Sequence, residues 1–120
     1  DTLAVLTSNT YHMEEILILN NNQFFYYKRG GNQNTASFDN EFIKFNANKT
    51  GSYSYNNVVN TLTWDFINGN KTKIRYTLNR PTPIEITWEN INYNKDSLTY
   101  SEYYTVNGLN SMSTVLRTAR

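Results

Sequence analysis

Residues 61–92 read TLTWDFINGNKTKIRYTLNRPTPIEITWENIN, and they decide the fold because a period of two recurs there three times in succession. Leu62, Trp64 and Phe66 alternate with Thr61, Thr63 and Asp65. Ile74, Tyr76 and Leu78 alternate with Lys73, Arg75 and Thr77, and Ile84, Ile86 and Trp88 with Glu85, Thr87 and Glu89. Neighbouring side chains of a strand point to opposite faces, so each run is a strand with one dry and one wet face. The dry face is even-numbered in all three. A two-residue Asn68-Gly69 turn would set Trp64 opposite Lys73, mixing core with solvent, whereas a three-residue Asn68-Gly69-Asn70 loop sets Trp64 opposite Ile74, Phe66 opposite Thr72 and Asp65 opposite Lys73. The longer loop is predicted. In the next connection Pro81 holds Arg80 extended and Pro83 can open a strand but not lie within one, so Leu78 pairs with Ile84 and Ile74 with Trp88. Lys73 then lies between Asp65 and Glu89.

The rest of the chain extends this pattern in both directions. Asp1 to Asn9 carries Leu3 and Leu6 at helical spacing behind an Asp suited to capping, which predicts a short helix plugging one end of a barrel. Thr10 to Leu19 is a first strand with apolar residues on both faces: Tyr11, Met13, Glu15 and Leu17 on one, His12, Glu14, Ile16 and Ile18 on the other. Its inner face is open. An Asn20-Asn21-Asn22 turn of three residues would set Phe25, Tyr27 and Arg29 opposite Leu17, Glu15 and Met13, with Arg29 near Glu15. Asn32 to Asn40 has no period and reads as a long loop and candidate lid, with Phe38 tucked back.

Glu41 to Asn46 and Gly51 to Asn56 form a hairpin around Asn48-Lys49-Thr50-Gly51, Ile43 and Phe45 pointing inward and Tyr53 and Tyr55 facing Phe45 and Ile43. Ser97 to Val106 carries Leu98, Tyr100, Glu102, Tyr104 and Val106 on the dry face. In the last hairpin a two-residue Asn107-Gly108 turn aims Leu109, Val115 and Arg117 inward, and a three-residue loop aims Met112, Thr114 and Leu116 inward. The second is preferred. Eight to nine sequential antiparallel strands of this kind form an all-β fold, a single up-and-down barrel or a sandwich.

Composition bounds the function classes. The 120 residues make one domain, 1–120, with enough chain to bury a core. No Cys excludes a disulfide scaffold and thiolate metal sites, and no cofactor is expected. A net charge of +1 without a basic cluster argues against nucleic acid, and no apolar run is long enough for a transmembrane helix. The 10 Tyr, 6 Phe and 2 Trp suit strands, and the 20 Asn suit the turns between them. No signal peptide is visible, and a start at Asp1 is compatible with a processed or trimmed chain.

Several segments together resemble a known family. These are Leu6-Thr7-Ser8 followed by aromatic-x-hydrophobic-x-Glu up to Glu15, Tyr27-Lys28-Arg29-Gly30, Phe45-Asn46-x-Asn48-Lys49-Thr50-Gly51-x-Tyr53, Thr63-Trp64-Asp65-Phe66 and Thr99-Tyr100-Ser101-Glu102-Tyr103-Tyr104. In order and spacing they resemble the lipocalin-like domains of small secreted bacterial proteins, often lipoproteins, over nearly the whole chain. Tyr11 stands where such domains commonly have Trp. The resemblance implies an eight-stranded up-and-down barrel with a calyx for a small hydrophobic molecule, a periplasmic or cell-surface location, and a lipid anchor upstream of Asp1.

Glu102 shares its face with Leu98, Tyr100 and Tyr104, so an inward face puts a carboxylate inside the barrel, where it needs a cation or donors. Arg29 and Glu15 are the expected inward partners. The candidate ligand site is therefore Glu15, Arg29, Tyr53, Trp64, Tyr76, Trp88, Tyr100 and Glu102, an aromatic pocket with a polar floor. Against this stand plain core packing of the tryptophans and a structural ion pair. Two further readings are a side-chain-filled barrel presenting Tyr103, Tyr27 or Tyr93 to a protein partner, and a calyx enzyme using Glu102 as a base. His12 is the single histidine, with Glu14 on its face as the nearest helper for a metal; surface placement is the plainer reading. Glu85 and Glu89 are about 13 Å apart at roughly 3.3 Å per residue and face solvent, which is no arrangement for hydrolysis. Asn48-Lys49-Thr50 and Asn70-Lys71-Thr72 match the glycosylation pattern but lie in turns that select Asn on their own account.

Overall fold

Asparagine sets the hairpins. Asn21 and Asn22 have φ of 48° and 68°, and Asn56 and Asn57 have 49° and 69°. Asn107 and Gly108 follow the same pattern at 52° and 76°. Two consecutive left-handed residues make the tight turn whose twist matches that of paired strands, and Asn and Gly reach that region at least cost. The computed structural model describes residues 2–120, so the proposed Asp1 cap lies outside the described residues.

The elements are α1 (Thr2–Ser8), β1 (Thr10–Asn20), β2 (Gln23–Lys28), β3 (Glu41–Phe45), β4 (Thr50–Tyr55), β5 (Val58–Phe66), β6 (Ile74–Leu78), β7 (Ile84–Tyr93), β8 (Ser97–Val106) and β9 (Leu109–Ala119). All pairings are antiparallel in the order β2-β1-β3-β4-β5-β6-β7-β8-β9, and β1 also pairs with β9. Eight strands thus close into a barrel, and β2 is an extra strand outside the closure. It pairs with the second half of β1, from Glu15 to Asn20, while β3 pairs with the first, Thr10 to His12.

β1 resolves its two apolar faces with a bulge. The β1–β9 register shifts between Met13 and Glu15, so Tyr11 and Met13 point inward before it and Ile16 and Ile18 after it. One extra residue flips the parity of everything downstream. The Met13 carbonyl beside the bulge accepts hydrogen bonds from Arg29 Nε (3.1 Å) and Nη2 (2.9 Å). A second bulge in β7, between Glu89 and Asn92 with Asn90 at φ 55°, brings Ile91 into the core after Trp88.

The central strands keep the predicted parity, and Leu78↔Ile84 and Ile74↔Trp88 pair as predicted. Two other registers slip by two residues. Trp64 pairs with Tyr76 and Asp65 with Arg75, because residues 67–73 form a longer connection in which the Asn68 side-chain carbonyl accepts from the Thr72 and Lys73 amides. Lys73 therefore does not lie between Asp65 and Glu89. Phe45 pairs with Gly51 and Ile43 with Tyr53. Two turns are shorter than predicted: Asn20 pairs with Gln23, and Val106 with Leu109. Strand β9 accordingly buries Ser111, Ser113, Val115 and Arg117, and Met112, Thr114 and Leu116 lie on the outer face.

The two ends of the barrel differ. At one end α1 lays Leu6 into the core, and Lys44 Nζ donates to the Thr7 and Phe45 carbonyls, placing a cation at the helix C-terminus. Tyr11 donates its hydroxyl to the Val5 carbonyl (2.9 Å), making the closing contact between helix and strand. Above it Phe45 meets Trp64, Tyr76 and Trp88 edge-on at centroid distances of 5.4, 5.9 and 5.3 Å. Edge-to-face rings pack densely, so this half is solid. The opposite end, where β2 and β9 begin, is the open one.

Candidate functional site

Parity brings four acidic or basic side chains toward the open half. Glu41 stands two residues before Ile43 on β3 and shares its inward face. Arg117 comes from β9, Glu102 from β8, and Arg80 from the loop between β6 and β7. Arg117 and Glu41 are each 1% exposed and form a two-pronged ion pair, Nη1 to Oε1 at 2.8 Å and Nη2 to Oε2 at 2.6 Å. Arg117 Nε donates to the Tyr100 hydroxyl (2.6 Å), and Nη1 also donates to the Tyr11 carbonyl (3.3 Å). Tyr53 stands beside the pair, lining the same space as Glu41 and Arg117. The arginine pKa is pushed further up by the Glu41 carboxylate against an opposing effect of burial, so the guanidinium stays charged.

Glu102 is held differently. Trp88 Nε1 donates to its Oε1 at 3.0 Å, and Tyr76 stands beside it in the same cavity wall. Burial raises its pKa above the ordinary 4.5, partly offset by the charge of Arg117 and the Trp88 hydrogen bond. Trp88 in turn stacks on Tyr100 at 3.8 Å and 17°. Burial likewise pushes the hydroxyls of Tyr53, Tyr76 and Tyr100 up, so all three stay neutral.

Above these groups lies a cavity of about 190 Å³, with Tyr53, Tyr76, Glu102, Tyr104, Ser113 and Arg117 in its wall. Phe38 covers it from the long loop, packed on Tyr27 and Tyr55 at 5.7 and 6.0 Å. That loop is fastened: Tyr27 donates to Asp39 (2.5 Å), the Thr35 amide to the Tyr26 carbonyl (2.9 Å), and the Lys28 amide to Asn34 Oδ1 (2.8 Å). A larger cleft of about 850 Å³ adjoins the cavity and shares Ile84 and Tyr104 with it. It opens where the β7–β8 ladder ends at Thr87↔Tyr103, and outward Glu85 and Tyr103 line it together with inward Ser111. The cleft thus lies at the rim between β7 and β8, with both inward and outward side chains in its lining. Among the described residues the Ser111 hydroxyl is the one buried side-chain polar atom without a hydrogen-bond partner.

Tyr53, Tyr76 and Glu102, three of the residues named from sequence, line the cavity together. Trp88 and Tyr100 lie beneath it, Trp88 donating to Glu102 and Tyr100 accepting from Arg117. Trp64 belongs to the solid half, where its Nε1 donates to the Asn46 and Thr50 carbonyls (3.0 and 3.1 Å) and Lys49 Nζ sits 4.5 Å over its ring. Glu15 and Arg29 are not inward partners of Glu102. The β1 bulge turns Glu15 to the outer face, where it accepts from the Tyr26 hydroxyl, and Arg29 sits at the bulge with its Nε 3.8 Å from Glu14. The inward pair is Glu41 and Arg117, which the sequence reading did not single out.

Of the tyrosines considered as partner contacts, Tyr27 is buried, Tyr93 is half-buried with its hydroxyl on the Lys71 carbonyl (3.0 Å), and Tyr103 is 37% exposed. His12 packs against Phe42 at 5.5 Å, and Glu14 is bound to Arg120 (2.8 Å) and Thr118 (3.1 Å). Glu85 pairs with Arg75 on the outside at 3.5 Å. No family model, no curated protein and no solved structure matches this chain.

Proposed function

We propose that the chain is a non-enzymatic, lipocalin-like binding module that takes a small molecule into the open half of its barrel. The cavity of about 190 Å³ carries this reading, because it is bounded by rings and a few convergent polar groups in a barrel whose other half is solid. Sites for drug-sized molecules occupy about 300–1,000 Å³. The inner cavity alone therefore suits a smaller ligand than that range, and the adjoining cleft offers room for more. The order of strand and turn motifs supports the lipocalin-like assignment, and a periplasmic or cell-surface setting follows from that resemblance alone. An enzyme reading finds less support: Glu102 faces neutral donors, and Glu41 is locked to Arg117, so no second free acid or base confronts it.

The test is native mass spectrometry of the protein as purified, followed by screening of small molecules by NMR. A ligand that shifts Tyr53, Tyr76 and Tyr104 resonances and is lost in Ile84→Trp, which plugs the mouth, is the expected result. A folded protein that takes up nothing, with those resonances unmoved throughout, would overturn the proposal.

A second reading has its own observation. Phe24, Leu19, Met112 and Tyr103 fall in one row across β2, β1, β9 and β8 on the outer surface, and Phe24 and Met112 are 65% and 45% exposed. A contiguous exposed apolar row is typical of an interaction face. Binding of a protein partner that is lost in Phe24→Ser/Met112→Ser, with no small molecule bound, would favour it.

A further inference from the structure

Charge inside the open half does not balance. Arg117 and Glu41 neutralise each other, and all three guanidinium nitrogens of Arg117 are already engaged by Glu41, Tyr100 and Tyr11. It has little to offer an anionic ligand. Glu102 faces Trp88 from β7 and Tyr76 from β6, both neutral donors, and no ion pair among the described residues involves it. When Glu102 is ionised, the inward-facing groups therefore carry one negative charge in excess: Glu41 and Glu102 against Arg117. Arg80 also reaches the cavity, but it is exposed at the rim, where water and salt screen it.

The walls have the matching chemistry. Tyr53, Tyr76, Tyr104 and Phe38 surround the space above Glu102. Ring faces attract a cation within about 6 Å, most strongly where water is excluded. A carboxylate held by neutral donors beside aromatic faces is complementary to a positive charge and repels a negative one. The cleft at the rim between β7 and β8 adjoins the cavity at Ile84 and Tyr104 and offers space for the remaining atoms of such a molecule.

We infer that the ligand is a small organic cation, a protonated amine, whose charge sits against Glu102 and whose apolar part lies among the rings toward the β7–β8 cleft. This rests on the binding reading proposed above and specifies its ligand class. Glu102 is the specificity-determining residue, and the Glu41–Arg117 pair is the neutral floor beneath it.

Three probes of one shape separate the outcomes: 2-phenylethylamine as the cation, 2-phenylethanol as the neutral form and 3-phenylpropionate as the anion. Each is titrated at pH 7 into the full chain labelled with ¹⁵N, and the two indole N–H signals are followed. The Trp88 indole bonds Glu102 and reports on the site, whereas the Trp64 indole bonds the Asn46 and Thr50 carbonyls in the solid half and serves as the control. The amine is expected to move the Trp88 signal alone and to bind at least about tenfold more tightly than the alcohol, with the anion weakest. Glu102→Gln is expected to remove the amine's advantage while leaving the alcohol bound, which also shows that the variant is folded. Equal or tighter binding of the alcohol or anion would overturn the amine assignment and leave the binding module standing. So would amine binding unchanged in Glu102→Gln. Movement of neither indole by any of the three would overturn the amine assignment, and the broader screen above then decides the binding reading separately.

Discussion

Replacing Arg117 by Met tests whether the barrel depends on the polar centre described here. The substitution keeps the length and apolar stem of the side chain but removes the partner of a carboxylate that is 1% exposed and held by two bonds of 2.8 and 2.6 Å. Stripping one member from a buried pair costs about 3–5 kcal/mol, because the survivor keeps its desolvation penalty without its counter-charge. The Tyr100 hydroxyl and the Tyr11 carbonyl also lose a donor. A domain of this size is stable by about 5–15 kcal/mol, so the loss is about a fifth of the total at least and up to all of it. At a urea dependence of about 2 kcal/mol/M, the midpoint falls by about 2 M. The assay is urea unfolding at pH 7, followed by tryptophan fluorescence and far-UV circular dichroism, on Arg117→Met, Glu41→Leu and the double variant. Because the double variant buries no lone charge, it should recover most of the loss, giving a coupling of several kcal/mol. A cost below about 1 kcal/mol for Arg117→Met, or a double variant as unstable as the two losses added, would refute the pairing as the organising contact.

Three further outcomes follow from the same structure. The raised pKa of Glu102 means that the folded state holds a proton which the unfolded state has released at pH values above 4.5, so Glu102 lowers stability as pH rises from there through its folded value. Glu102→Gln should flatten that fall and be the more stable protein at pH 7 in paired urea titrations; a steeper fall in the variant would contradict the burial. Gly51→Ala would put a Cβ 2.3 Å from the Lys44 carbonyl oxygen and 2.9 Å from Leu62 Cδ1, and should cost about 1–3 kcal/mol or more in thermal unfolding, whereas the same change at Gly69, which has open space, should cost under about 1. Arg29→Ala orphans the Met13 carbonyl beside the bulge and should cost about 1–3 kcal/mol, with faster hydrogen exchange at Glu14 and Glu15; unchanged exchange there would remove its role at the bulge.

What could be read from the chain depended on where parity runs without interruption. From β5 through β8 it does so up to the β7 bulge, and there Leu62, Trp64, Ile74, Tyr76, Ile86, Trp88, Leu98 and Tyr100 are buried as their even numbers imply. Registers slipped by two where a loop used side-chain carbonyls to extend itself, as Asn68 does, because a two-residue slip keeps every face and so leaves no trace in the alternation. β1 was illegible for the opposite reason: a bulge makes both faces inward in turn, which a single-parity reading records only as two half-apolar faces. Tyr53, Tyr76 and Glu102 were found because they lie on uninterrupted strands. Glu41 could have been found as well, since it shares the odd-numbered face of Ile43 and Phe45.

Arg117 turned on one turn. Asn107-Gly108 is a strong signal for two left-handed residues, and taking it at face value aims Arg117 inward; the three-residue loop preferred from sequence aims Met112, Thr114 and Leu116 inward instead. Turn chemistry prevailed over hydrophobicity here because the barrel already contained the countercharge. With Glu41 committed to the interior from β3, an inward β9 arginine satisfies it from the far side of β1, and Glu102 is left as an inward carboxylate with no ion pair among the described residues. A longer turn in this hairpin would therefore do more than rotate a strand. It would remove the cation from a buried acid, turn the aliphatic residues of β9 to the core in its place, and leave both Glu41 and Glu102 without a countercharge inside the barrel.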